Sequence, residues 1–373
     1  MGLPEFILNF NEKAKTATKR AERGIIAVIL ADSTKTDTGD AKYSAYNYTS
    51  ENDIVSSHWT AENLGYLKQI FLRSPKRVLV QRITPPEIGS DATYKTALEI
   101  LKHKMWNYLV IPGINIEASD SENISSVKDV CNWIKTMRSD KKRFKAVLPC
   151  TAAGVAADYE GIIDFATENI TVGAKTYTAA QYCPRIAGIL ATVPLSESGT
   201  YEILSEISSI TESSTPDNDI DSGKLILIND GEEFKIGRAV NSLTTITGTG
   251  KTEDWKKIKI VDAMDFIFDD IKTVFETNYM GTANSYDNKQ LFVAAVNDYL
   301  EDLASQEILD PEGNNTVAVD IEKQREWLTT QGKNTVDMTD DEIKKAKTGS
   351  YIFVSGTLSF LDAIEDLEFS LYM

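Results

Sequence analysis

The five residues Gly248-Thr249-Gly250-Lys251-Thr252 are of the types that hold phosphate: glycines let backbone N–H groups close round an anion, and a lysine meets its charge. Their spacing does not fit. A phosphate loop has two glycines separated by four residues, which would put the first at position 245, where Thr245 stands. Asp217-Asn218-Asp219-Ile220-Asp221-Ser222-Gly223 begins like a calcium loop, but the required Gly and bidentate Glu are replaced by Ser222 and Ile228. Asp262, Asp265, Asp269 and Asp270 fall on one predicted helix with no histidine beside them, and so read as a solvated or subunit-contacting face. The two histidines, His58 and His103, belong to no His-Glu-x-x-His pattern, and no Gly-x-Ser-x-Gly elbow occurs. The residues therefore predict no catalytic, cofactor or metal site. A Ser–His–Asp set drawn from distant positions stays compatible with them, because such sets are spatial.

The composition narrows the partners. A net charge of −17 argues against duplex DNA or an anionic membrane as the main partner, since both require a basic face. No apolar run approaches the ~20 residues of a membrane span. The start, Met1-Gly2-Leu3-Pro4-Glu5, has no basic region ahead of an apolar stretch, so no secretory signal is expected. Cys131, Cys150 and Cys183 are odd in number and lack metal-ligand spacing, which predicts reduced core residues made in a reducing cytosol. At 373 residues, 42% hydrophobic and 25% charged, the chain has the make-up of an ordinary globular protein of about two or three domains.

Hydrophobic periodicity then supplies the scaffold. Strands are predicted at Gly24–Ala31, Val78–Val80, Tyr108–Ile111 and Phe144–Leu148. Between them come helices capped by Thr60, opened by Ser90 or Asp91, and started by Ser121. Near-continuous apolar strands alternating with helices imply a mainly parallel sheet covered on both faces. Helices are further expected at Ala179–Val193 and Tyr201–Ile210, and a hairpin from Lys224–Ile228 through Asp230-Gly231 to Phe234–Val240. Past 247–252 the pattern becomes α+β: helices within Trp255–Tyr279, at Tyr286–Ser305 and Thr339–Lys347, a strand at Thr316–Ile321, and strands at Ser350–Phe360 and Glu365–Met373. The predicted fold class is thus α/β plus α+β. The domains are an N-terminal arm (1–23), an α/β domain (24–247), a C-terminal α+β domain (252–361) and a C-terminal strand arm (362–373).

Both termini alternate in the manner of half-buried strands, with Phe6, Leu8 and Phe10 at one end and Leu367, Phe369, Leu371 and Met373 at the other. A free end frays unless something pairs with it. Either these ends complete the chain's own sheet, or they add to a neighbour's, with main-chain hydrogen bonds giving affinity and alternate side chains giving register. Asn11–Arg23 reads as a linker or a weak helix; in exchanged arms it and Leu361–Glu365 would act as hinges. Fully extended, the N-terminal arm would reach at most about 70–80 Å.

Five segments together resemble the contractile tail sheath proteins of phages and of R-type, phage-tail-like bacteriocins. They are Arg185–Pro194 with Ser198-Gly199-Thr200-Tyr201, Gly237-Arg238-Ala239-Val240-Asn241-Ser242-Leu243, Ile258–Asp265 leading to Asp269-Asp270-Ile271, Asn278-Tyr279-Met280-Gly281 with Asn284-Ser285, and Asp362–Phe369. The resemblance covers about residues 185–373 well and the first half more loosely. It implies a subtilisin-like but non-catalytic middle domain, and this chain agrees in lacking His-Gly-Thr and Gly-Thr-Ser motifs. It implies a helical homopolymer around an inner tail tube protein, with baseplate and terminator proteins at its ends and neither nucleic acid nor membrane as partner. Such a sheath is assembled in the bacterial cytoplasm and carried by the released particle. It also implies terminal strands exchanged between subunits, here through Phe6, Leu8, Phe10, Leu367, Phe369 and Leu371, and contraction that drives the tube through a target envelope. The aspartate-bearing helix is then a candidate for contacts formed on contraction, and the helix with Lys323 and Arg325 for contact with the tube. The alternatives are an α/β enzyme, hydrolase-like or nucleotide-binding, and a soluble binding module whose ends pair internally.

Overall fold

The computed structural model describes residues 23–34, 43–83, 94–116 and 124–372. Phe6, Leu8, Phe10, most of the predicted N-terminal hinge, the helix starts proposed at Ser90, Asp91 and Ser121, and Met373 lie outside the described residues. The chain divides into two units, Glu22–Asp262 with Ile364–Met373, and Ala263–Ala363.

In the first unit β1 (Ile25–Ala31) is buried along nearly its whole length. Its unbroken apolar run fits this place, because strands lie on both sides of it and helices over both faces. β2 (Tyr43–Tyr48), β3 (Arg77–Ile83), β4 (Tyr108–Val110), β5 (Lys145–Leu148) and β6 (Ile162–Phe165) join it. β7 (Glu168–Val172), β8 (Lys175–Tyr177) and β9 (Ile207–Thr211) make a separate three-stranded sheet, and β10 (Lys224–Leu225) returns to the first. Among the described residues the main sheet therefore has seven strands in the order β10-β6-β5-β4-β1-β3-β2. Every pair in it is parallel except β2 with β3.

Local chemistry sets the helices. Thr60 caps Ala61–Phe71 by accepting from the backbone N–H of Asn63. The helix predicted from Ser121 begins instead at Val127, because Ser126 and Asp129 form a capping box there while Ile124 sits at φ 28°. The helix Ala179–Thr192 is buried through most of its length and packs against Ala61–Phe71. Gly188 makes that approach possible, since a Cβ there would lie 2.8 Å from the Ile70 carbonyl oxygen. Gly188→Ala is expected to cost about 1–3 kcal/mol by forcing the two helices apart, read as a lowered urea midpoint with an unchanged slope.

No helix forms at Tyr201–Ile210. Tyr201 takes φ 60°, and Ile207–Thr211 pairs with β7 as β9. Sheet pairing overrides the weak helical spacing of a Ser- and Ile-rich stretch. The predicted hairpin is shorter than expected: β11 (Leu227–Asn229) pairs with β12 (Phe234–Ile236), while Lys224 and Leu225 belong to the main sheet.

The second unit holds most of the helix Ile258–Val274, the single π-turn Phe275–Tyr279 and the helix Tyr286–Ser305. β13 (Thr316–Val319) and β14 (Val354–Thr357) pair antiparallel. The strand expected to reach Ile321 stops at Val319. Asp320 there caps the helix that carries Lys323 and Arg325, Ile321–Thr330, by accepting from Lys323 N–H. Asp340–Lys345 forms the short helix. The strand predicted at Glu365–Met373 has no strand pairing in the described residues 365–372. An isolated strand has no ladder to complete, so an alternating sequence alone does not make one.

Candidate functional site at the roots of the arms

The C-terminal segment leaves the first unit through a carboxylate cradle. Glu365 Oε1 accepts from Ser198 Oγ at 2.8 Å and from Thr200 Oγ1 at 2.6 Å, and its other oxygen lies 3.4 Å from Arg238 Nε. Thr200 N–H donates to Ser198 Oγ, and Ala239 N–H donates to Thr200 Oγ1; the Thr200 hydroxyl gives its proton to the carboxylate, and the Ser198 hydroxyl has both the carboxylate and, at 2.9 Å, Thr200 Oγ1 as acceptors. Arg238 Nη2 also meets Asp366 at 2.5 Å, and this hydrogen bond holds the Asp366 carboxyl below the usual range. Beyond the cradle the alternating side chains stand in solvent: Leu367 is 86% exposed, Phe369 73% and Leu371 81%.

Arg23, the first described residue, is also anchored. Arg23 donates to the Val193 carbonyl oxygen and, at 3.1 Å, to Asp262 Oδ2. Asp262 is buried and additionally receives the Tyr108 hydroxyl at 2.8 Å and Lys145 Nζ at 3.0 Å, from β4 and β5. Lys145 lies over the Tyr108 ring, 5.2 Å from its centroid. The expected open aspartate face is therefore corrected at this position: Asp262 is the internal counter-ion of two cations. Asp265 is buried as well, and Asp270 accepts from Tyr299 at 2.8 Å.

Residues 89–242 match the family model of the phage tail sheath protein central domain, and residues 250–346 that of the phage tail sheath C-terminal domain. A tail sheath protein of Clostridium phage phiCD119 is 36% identical over 384 residues, an alignment spanning 100% of this chain and 99% of that protein. The chain belongs to the phage tail sheath family. Among solved structures, the helical sheath of the anti-feeding prophage in its contracted state matches with TM-score 0.69 and 11% identity over 100% of this chain and 99% of that one. The sheath tail protein of Desulfitobacterium hafniense matches with TM-score 0.66 and 15% identity over 92% and 95%. At these identities the two structures speak for a shared sheath fold.

Three of the sheath-like sequence segments thus meet at one place, Ser198–Tyr201 and Gly237–Leu243 receiving Asp362–Phe369. A fourth serves the second unit. Asn284 Nδ2 donates to the Gly349 carbonyl at 2.7 Å and the Tyr351 carbonyl at 3.0 Å, fixing the turn that feeds β14. Buried Lys289 donates to Thr348 Oγ1 at 2.9 Å in the same turn, and burial pulls its pKa down.

The other sequence candidates are occupied otherwise. Lys251 of the phosphate-like loop pairs with Glu160 at 2.8 Å. The calcium-like stretch is the helix Pro216–Asp221, with Asp219 on Lys224 at 2.7 Å. Among the described residues no group of three His, Cys, Asp or Glu side chains is placed to hold a metal. His58 packs against Tyr46. Cys131 and Cys150 touch at 3.8 Å in the core, and that contact together with burial pushes the Cys150 thiol pKa up. Arg325, on the helix expected to face the tube, bonds within its own unit to the Thr335 and Met338 carbonyls and to Asp340. The cradle itself was missed. Its signal was present as hydroxyls in Ser198-Gly199-Thr200 and acids in Glu365-Asp366, but only the fold brings them together.

Proposed function

We propose that the chain is the subunit of a contractile sheath that polymerises helically around an inner tail tube and joins its neighbours by exchanging terminal strands. One observation carries this reading. A segment anchored at its root by Glu365 leaves Leu367, Phe369 and Leu371 exposed in the alternating pattern of a strand that has found no sheet. The acceptor we favour is β14 of another copy. The outer side of β13 is closed, because Asn297 bonds both the N–H and the carbonyl of Val317, at 2.8 and 3.0 Å. No described strand lies on the other side of β14. A two-stranded sheet is marginal alone and gains from a third strand.

The sheath surrounds the tube as a structural element, with baseplate and terminator proteins at its ends, and it is put together in the bacterial cytoplasm. Contraction moves the units as bodies while paired strands keep the subunits joined. The energy comes from contacts formed in the contracted lattice and withheld in a kinetically trapped extended one. Turnover of substrate has no part in this, which separates it from the enzyme alternative.

Phe369→Asp tests the reading. The variant is expected to keep the circular-dichroism spectrum and melting temperature of the wild-type subunit and to lose tube formation in electron micrographs. A collapsed spectrum would place this strand in the subunit's own core and overturn the proposal.

A further inference from the structure

We propose that the loop from Val193 to Thr200 is the junction through which pull on one arm passes to the other, beside a second hold of Arg23 on Asp262. The inference rests on the strand-exchange reading above and adds a path within the subunit.

Both arms are seated on this one loop. Arg23 reaches the Val193 carbonyl at its start, and Glu365 is held by Ser198 and Thr200 at its end. Without these side-chain anchors the backbone alone would carry the load. Pull on the N-terminal arm would enter at Gly24 and peel Ile25 out of the centre of the parallel sheet. Pull on the C-terminal arm would enter at Leu361, whose N–H is bonded to the Ile308 carbonyl at 3.2 Å in the other unit. The anchors take up both loads first, the N-terminal one on Val193 and Asp262 and the C-terminal one on Ser198 and Thr200.

The loop is built stiffly enough for the task. Leu195 is buried, and Glu197 N–H closes a turn on the Pro194 carbonyl at 3.0 Å. Gly199 is packed closely, with a Cβ there 3.4 Å from Leu190 and 3.6 Å from Ala239. Behind it stands the buried helix Ala179–Thr192. At each end the contacts are charge-assisted, the stronger class of hydrogen bond.

A path in series has a signature: breaking either anchor interrupts it, and breaking both does little more. The experiment uses tubes assembled from the full chain. Glu365→Ala with Asp366→Ala removes one anchor, Arg23→Ala removes the other, and a third protein carries all three changes. Glu197→Ala, an exposed change on the same loop that holds no arm, is the control. All are expected to form tubes. Tubes lacking either anchor are expected to fall apart in guanidinium roughly tenfold or more faster than wild type, as loss of one charged hydrogen bond allows. The combined variant should be within a few-fold of the single-anchor ones, and the control should match wild type. Rates like wild type in the anchor variants, or rate effects that multiply in the combination, would overturn the inference. If Arg23→Ala lowers the melting temperature of the subunit itself, the Glu365 and Asp366 variant decides against wild type alone. Truncation after Asp366 separates the two levels. If it still yields tubes, strand exchange itself is wrong; if it abolishes tubes while the anchor variants behave as wild type, only the load path is wrong.

Discussion

A chain truncated after Asp366 is expected to fold, to melt with the full-length subunit, and to form no tubes. The fold half of this outcome follows from exposure. Leu367, Phe369 and Leu371 contribute nearly nothing to either unit's core, while Glu365 and Asp366, which hold Ser198, Thr200 and Arg238, are retained. The assembly half follows from competing magnitudes. Completely burying each of the three apolar side chains against a neighbour would contribute about 1.5–3 kcal/mol. Each new backbone hydrogen bond adds about 0.5–1.5 kcal/mol net. Ordering the released segment costs about 1–2 kcal/mol per residue. These terms nearly cancel for one arm, so a single exchange is weak. A lattice repeats it at every subunit, and linked weak contacts hold where one would not. Removing the segment therefore removes every C-terminal link at once, and the expected effect on assembly is large. Sedimentation at rising concentration and electron microscopy of the truncated chain read it directly. Ordinary tubes from that chain would end the strand-exchange reading.

The parallel core was legible because its strands are apolar without interruption. Ile25–Leu30, Val78–Val80 and Ala146–Leu148 need burial on both faces, and only a sheet flanked by helices gives it. The helix Tyr286–Ser305 was legible because Ser285 caps it and its apolar stripe is long. What failed has a common cause. Ile207–Thr211 became a strand because β7 offered an edge, and the strand expected to run to Ile321 stopped at Val319 because Asp320 caps the helix that follows. In both cases local preference is weak and tertiary context decides. The site was half legible. Alternation singled out Leu367, Phe369 and Leu371, which the fold leaves exposed, but nothing in Glu365 itself points to Ser198 and Thr200, which lie far away in sequence. The aspartates on Ile258–Val274 misled for the same reason. A charged residue on a helix reads as solvated until its partners are known, and the partners of Asp262 come from β4, β5 and Arg23.

Asp262→Ala is expected to be the most damaging single substitution in the first unit. Asp262 is the shared counter-ion of Arg23 and of Lys145, whose side chain is only 4% exposed, and it accepts the hydroxyl of fully buried Tyr108. Truncating it removes the carboxylate that a buried ammonium and a buried hydroxyl share. Removing one partner of a buried ion pair costs about 3–5 kcal/mol, set against a total stability of about 5–15 kcal/mol for a typical fold. The urea midpoint of the first unit should therefore fall by a large fraction, while Tyr108→Phe, which removes one hydrogen bond, should cost only about 1 kcal/mol. The origin of the loss can be separated from simple cavity formation. If lost charge matching is the cause, Asp262→Leu combined with Lys145→Met should recover much of the stability lost by Asp262→Leu alone, because the ammonium that Asp262 served is removed with it. If the cause were packing alone, the second change would add to the damage. Recovery in the double variant would show that this aspartate serves the fold by matching Lys145, and an unchanged midpoint for Asp262→Ala would show that neither cation depends on it.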